Sequence, residues 1–128
     1  RYGVNDLVDF IGWVKENEMS NDLSISKLGL SPLHRNIHHD TTYANKIFQY
    51  ISFGCPVVSS DVIAQSELVK KHNIGVVFED RNVMDLTKKI IQLYNEKELF
   101  EKLRSNCLRS IKKLNNSVIS NQLISIYE

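Results

Sequence analysis

The run from Asn45 to Asp61, NKIFQYISFGCPVVSSD, joins two periodicities across one glycine. Tyr43, Ile47 and Ile51 fall on one helical stripe with Ala44 and Phe48 beside it, the spacing of an amphipathic helix with one buried face. Gly54 stands just past the last periodic residue, where a helix favours a left-handed conformation. Cys55-Pro56 turns the chain, and Val57-Val58 opens a short strand that ends in Ser59, Ser60 and Asp61. A helix that stops at a tight turn and feeds an apolar strand is half of a βαβ unit. In open sheets of that kind, ligands bind at the carboxyl edge of the strands, beside the helix N-termini. The segment therefore predicts a fold class and the place of a site together.

The flanking sequence extends the pattern. Val8–Val14 is β-rich and apolar and reads as a strand. Lys15 to Ser24 is a short helix or an irregular link. Ile25 to Leu33, with Ile25, Leu28 and Leu30 as its apolar positions, reads as a weaker second strand ending at Pro32. A polar loop from Leu33 to Thr42 follows, with Asp40, Thr41 or Thr42 capping the helix Tyr43 to Phe53. Cys55–Ser59 is the third strand, Asp61 caps a helix through Lys71, and Ile74–Phe78 is the fourth strand. Beyond Glu79 the period becomes helical throughout. Val83, Leu86, Ile90 and Leu93 mark one helix, with Asn82 and Asp85 at its start. Leu99, Leu103, Cys107, Ile111 and Leu114 mark a second, and Val118, Leu123, Ile126 and Tyr127 a third. The expectation is a single α/β domain over 1–128: a Rossmann-like, doubly wound parallel sheet of about four strands with a helical C-terminal end. Four strands are few for a sheet covered on both faces, so earlier βα units are expected upstream. A chain that begins at Arg1 without methionine is what a fragment would show.

Composition narrows the function classes. A formal net charge of +1 supplies no global field toward nucleic acid or an anionic membrane. No apolar run approaches the ~20 residues of a membrane span, and no signal peptide opens the sequence. Cys55 and Cys107 lie far apart in apolar contexts, as buried thiols of a reducing cytoplasm do. Neither a Gly-x-Ser-x-Gly elbow nor a glycine-rich phosphate loop is present.

The central segment resembles the nucleotide-sugar-binding half of GT-B glycosyltransferases, in the large retaining group 1 family. There a helix bearing an acidic residue runs into a Gly-x-Pro-Val-Val turn and strand, matched here by Gly54, Pro56, Val57 and Val58. One branch, Thr-x-x-x-Lys-x-x-Glu-Tyr-x-x-x-Gly-x-Pro-Val, is matched at Thr42, Lys46, Tyr50, Gly54, Pro56 and Val57. Of the two glutamates that the family places eight positions apart, the second falls on Gln49 and the first on Thr41. Gln49 keeps the length and hydrogen-bonding capacity but not the charge-assisted bond; Thr41 is shorter. The strand from Val8 resembles the family's V-x-F-x-G strand, which would make the chain the latter part of a C-terminal donor-binding domain.

What the resemblance implies is transfer of a sugar from a UDP- or GDP-linked donor to a glycan or lipid-linked acceptor, as in polysaccharide biosynthesis. The reaction would be metal-independent and retaining and need no cofactor. The acceptor would be held by an N-terminal domain not seen here, so this chain alone would be inactive. The enzyme would be cytoplasmic, with a peripheral contact at the inner face of the plasma membrane allowed, and nucleic acid would not be a partner. Asp40, Thr41, Thr42, Asn45, Lys46 and Gln49 are then the donor-binding residues: helix N–H groups and the Lys46 ammonium for the diphosphate, Gln49 for a ribose hydroxyl. Further donor contacts are Trp13, by stacking on a base; the loop histidines His38 and His39, with His34 and Arg35 nearby; and Glu67, in the place of the family's Glu-Leu-Val.

Each has a plainer alternative. Trp13 packs in a core, the helix's polar stripe faces water, Glu67 pairs locally, and the histidines are surface residues. His34 and His38 are spaced for a metal only on a helix, which Pro32 argues against. The basic face of Lys102, Arg104, Arg109, Lys112 and Lys113 is diluted by Glu98 and Glu101 and reads as solvated. Two other functions stay open: a non-catalytic binding or interaction domain on the same fold, favoured by the loss of both acidic positions, and a GT-B-fold sugar epimerase.

Overall fold

Val57 and Val58 are fully buried and stand at the middle of the molecule. They open β2 (Val57–Ser60), which pairs in parallel with β1 (Gly29–Ser31) on one side and β3 (Gly75–Phe78) on the other. A computed structural model describes residues 5–8, 12, 15–36 and 45–113. Among these the order is a 3-10 turn (Asn5–Leu7), α1 (Glu16–Ile25), β1, α2 (Asn45–Ser52), β2, α3 (Ile63–His72), β3, α4 (Val83–Asn95) and α5 (Lys97–Lys113). This is the expected α/β, Rossmann-like arrangement of parallel strands with a helical C-terminal end. The predicted strand Val8–Val14 falls mostly outside the described residues, as does the predicted last helix from Val118.

β2 is buried on both sides, and the alternation of side chains along β2 and β3 sorts the helices into layers. Val57 and Val77 look toward Ile47 and Ile51 of α2 and Leu68 and Val69 of α3. Val58, Val76 and Phe78 look the other way, toward Leu86, Ile90 and Leu93 of α4 and Leu103 of α5. The second half of α5 belongs to the opposite cluster through Cys107. The Cys107 thiol donates to the Ile74 carbonyl (3.4 Å), and Asn106 Nδ2 donates to the Asn73 carbonyl (2.9 Å). Both acceptors lie just before β3, so α5 crosses the amino edge of the sheet.

Three expectations are revised. The segment Lys15 to Ser24, a helix or a link by its sequence, forms α1, which starts at Glu16 and takes Ile25 with it. Ile25 is therefore no strand residue. β1 is shorter than predicted and runs in the opposite phase: Gly29 and Ser31 are buried, Leu30 is 42 % exposed. Asp61 does not cap α3. Val62 holds that position without a side-chain bond, and Asp61 Oδ1 instead accepts the Asp80 N–H at 3.1 Å. The start of α4 follows the sequence: Asn82 Oδ1 accepts the Asp85 N–H (2.9 Å), and Asp85 Oδ2 accepts the Glu79 N–H (2.8 Å).

Candidate functional site

α2 links the end of β1 to the start of β2, so it runs antiparallel to the strands and begins at their carboxyl edge. Its rotation is set by Ile47 and Ile51, both fully buried, each contributing about 1.5–3 kcal/mol of burial. Tyr50 fixes it to β1. The tyrosine hydroxyl donates to the Leu30 carbonyl at 3.0 Å, and its ring lies so close over Gly29 that an added Cβ would clash with it. Gly54, at φ +72°, ends the helix in the left-handed conformation read from the sequence.

This docking leaves Lys46 half-buried in the first turn and Gln49 exposed one turn further. The two are three residues apart and neighbours on the helix surface. Burial holds the Lys46 ammonium below its usual lysine range. Among the described residues no carboxylate pairs with it. A partly desolvated cation at the positive end of a helix dipole attracts an anion more strongly than a solvated surface lysine does.

Beneath the same edge lies a polar cluster that sequence reasoning missed. Ser31, Ser60 and Gln65 are all at most 1 % exposed. The Ser31 hydroxyl donates to Gln65 Oε1 (2.8 Å). Gln65 Nε2 donates to Ser60 Oγ (3.1 Å) and the Ser31 carbonyl (3.2 Å). The Ser60 hydroxyl donates on to the Leu33 carbonyl (2.5 Å). Every member is satisfied, so the cluster rigidifies the strand ends rather than waiting for a ligand. The available signal was the small polar finish of two strands, Ser31 and Ser59-Ser60, followed by a glutamine in the first turn of α3.

A second junction joins the loops after β1 and β3. His34 Nδ1 lies 2.9 Å from Asp80 Oδ1, and the Arg35 backbone N–H donates to Asp80 Oδ2 at 3.0 Å. These bonds, the histidine's first, hold the Asp80 carboxyl below the usual carboxylate range. His34 thus pairs with a carboxylate in the loop after β3.

Of the predicted site residues, the structure brings Asn45, Lys46 and Gln49 onto one helix that starts at the carboxyl edge. Glu67 is exposed on α3, where Gln65, Ser66, Leu68 and Val69 turn inward. Trp13, His38, His39, Asp40, Thr41 and Thr42 lie outside the described residues. His72 ends α3 beside Lys70 and Lys71; partial burial, then Lys71 and Lys113, depress its pKa. The basic side chains of α5 are exposed, and no helix of the described residues is long and apolar enough to cross a membrane. Among those residues no cluster of His, Cys, Asp or Glu could hold a metal ion. An apolar cavity of about 460 Å³ between Leu28, Leu93 and Phe100 opens at the amino edge, away from α2's start.

The sequence matches the family model of glycosyl transferases group 1 over residues 1–110. The chain belongs to this family. No curated protein matches it. The chemistry of a group 1 glycosyltransferase is glycosyl transfer, with a nucleotide-sugar and an acceptor as its general partners. The matched span contains the sheet, α2 and the junctions around Gln65 and Asp80.

Proposed function

We propose that this group 1 glycosyltransferase domain supplies part of the donor site of an enzyme that moves a sugar from a UDP- or GDP-linked donor to a glycan or lipid-linked acceptor. The observation that carries the reading is Lys46: a half-buried ammonium with no carboxylate partner among the described residues, in the first turn of a helix that opens at the carboxyl edge. The diphosphate binds there, held by the N–H groups at the start of α2 and by Lys46. Gln49, one turn along, hydrogen-bonds a ribose hydroxyl. Asp40, Thr41, Thr42 and Asn45 complete the donor contacts, with Trp13, His38, His39 and Glu67 at its margin. Catalysis is positioning plus stabilisation of the departing diphosphate, with retention at the sugar and without a metal. The enzyme acts in the cytoplasm on polysaccharide precursors.

The reading is tested by calorimetric titration of the full-length protein with UDP and GDP, beside Lys46→Ala. Loss of a charge-assisted bond is worth about 1.5–3 kcal/mol, so the variant should bind at least about tenfold more weakly. If neither diphosphate binds the unaltered protein, the reading gives way to a non-catalytic interaction domain.

A further inference from the structure

We infer that Asp80 is a positioning residue of the donor site, acting through the residues that leave β1, Leu33 to Arg35; the inference rests on the donor-site reading above. β2 separates β1 from β3 in the sheet, so the loops after the two outer strands meet only if something spans the middle strand. Asp80 does so with three bonds. Its Oδ1 lies 2.9 Å from His34 Nδ1, its Oδ2 accepts the Arg35 N–H at 3.0 Å, and its own N–H donates to Asp61 Oδ1 at 3.1 Å. The ends of all three strands are thereby joined at one residue. The Arg35 bond fixes the main chain itself, not only a side chain. One residue earlier than His34, the Leu33 carbonyl accepts the Ser60 hydroxyl. The chain leaving β1 is thus held at two points, the Leu33 carbonyl and the Arg35 amide. Asp80 is itself kept in place by neighbours on its own loop: Arg81 is left-handed (φ +64°) with Nε 3.9 Å from Asp80 Oδ2, and Asp85 receives the Glu79 N–H.

The test uses the full-length protein as wild type, Asp80→Ala and Asp80→Asn. Hydrogen exchange is read at the Arg35 amide, and UDP and GDP affinity by calorimetry. Asp80→Ala should speed exchange at Arg35 and weaken diphosphate binding, each by about tenfold. Asp80→Asn keeps an oxygen for the Arg35 N–H and should recover most of both. A merely structural contact would not give that pairing of local exchange with affinity and its rescue by asparagine. If the wild type binds a diphosphate and Asp80→Ala matches it in affinity, or keeps the wild-type Arg35 exchange, the positioning role is overturned while the donor reading stands. If the wild type binds neither diphosphate, the donor reading itself fails and the role falls with it. Should Asp80→Ala not fold, Asp80→Asn against His34→Gln decides: asparagine near wild type and glutamine weakened supports the clamp, and both unchanged overturns it.

Discussion

Cys107 shows how a single side chain can be chemically silenced by its place in the fold. Burial pushes its thiol up to about 12, the neighbouring Cys55 adds to the shift, and its Sγ donates to the Ile74 carbonyl. Cys55 is raised too, by burial first, with Arg104 pulling the other way; its thiol donates to the Ser26 carbonyl at 3.3 Å. Raised thiol values mean that the thiol form persists up through mildly alkaline pH, and the thiolate is the reactive species. Iodoacetamide at pH 8 should therefore leave both cysteines unmodified in the folded protein and alkylate both in denaturant, as read by mass spectrometry. Rapid alkylation of Cys107 under native conditions would contradict the burial described. The sequence pointed to buried thiols through their apolar neighbours. Gln65 and Asp80 were harder to read, because a buried glutamine and a bridging aspartate are defined by partners far along the chain, Ser31 and His34; the small polar ends of the strands were the one local hint, and only for Gln65.

At the scale of elements, the junction between α2 and β2 was readable and β1 was not, for one physical reason. The helix stripe, Gly54 and the valine pair carry their own period, so burial follows from local spacing. β1 is only Gly29–Ser31, and its inward positions are a glycine and a serine because Tyr50 and Gln65 fill the space above them. The apolar Leu30 therefore looked like the inward residue. Asp61 misled in a similar way: a carboxylate ahead of a helix reads as a cap, while its partner is the N–H of Asp80. The Gly29–Tyr50 contact is the joint that seats α2 on the sheet, so Gly29→Ala should force the ring aside. Overpacking of this kind costs about 1–3 kcal/mol, to be read as a lower denaturation midpoint in urea. A variant as stable as the wild type would mean that the ring does not sit where described.

For the whole molecule, the division of labour between the two edges of the sheet carries the functional account. α5 closes the amino edge with Leu103, Asn106 and Cys107, while the carboxyl edge gathers Lys46, the Ser31–Ser60–Gln65 cluster and the Asp80 junction. The family membership over residues 1–110 gives glycosyl transfer as the chemistry, and the proposed donor site would put it at the carboxyl edge. The resemblance at Gly54, Pro56 and Val57 made that family legible from sequence. A crystal structure of the full-length protein with UDP or GDP tests the central claim most directly. The account predicts the diphosphate at the start of α2, with a phosphate oxygen within hydrogen-bonding distance of Lys46 Nζ. A nucleotide bound elsewhere, in the cavity beside Leu28 and Phe100 for example, with Lys46 untouched, would contradict it.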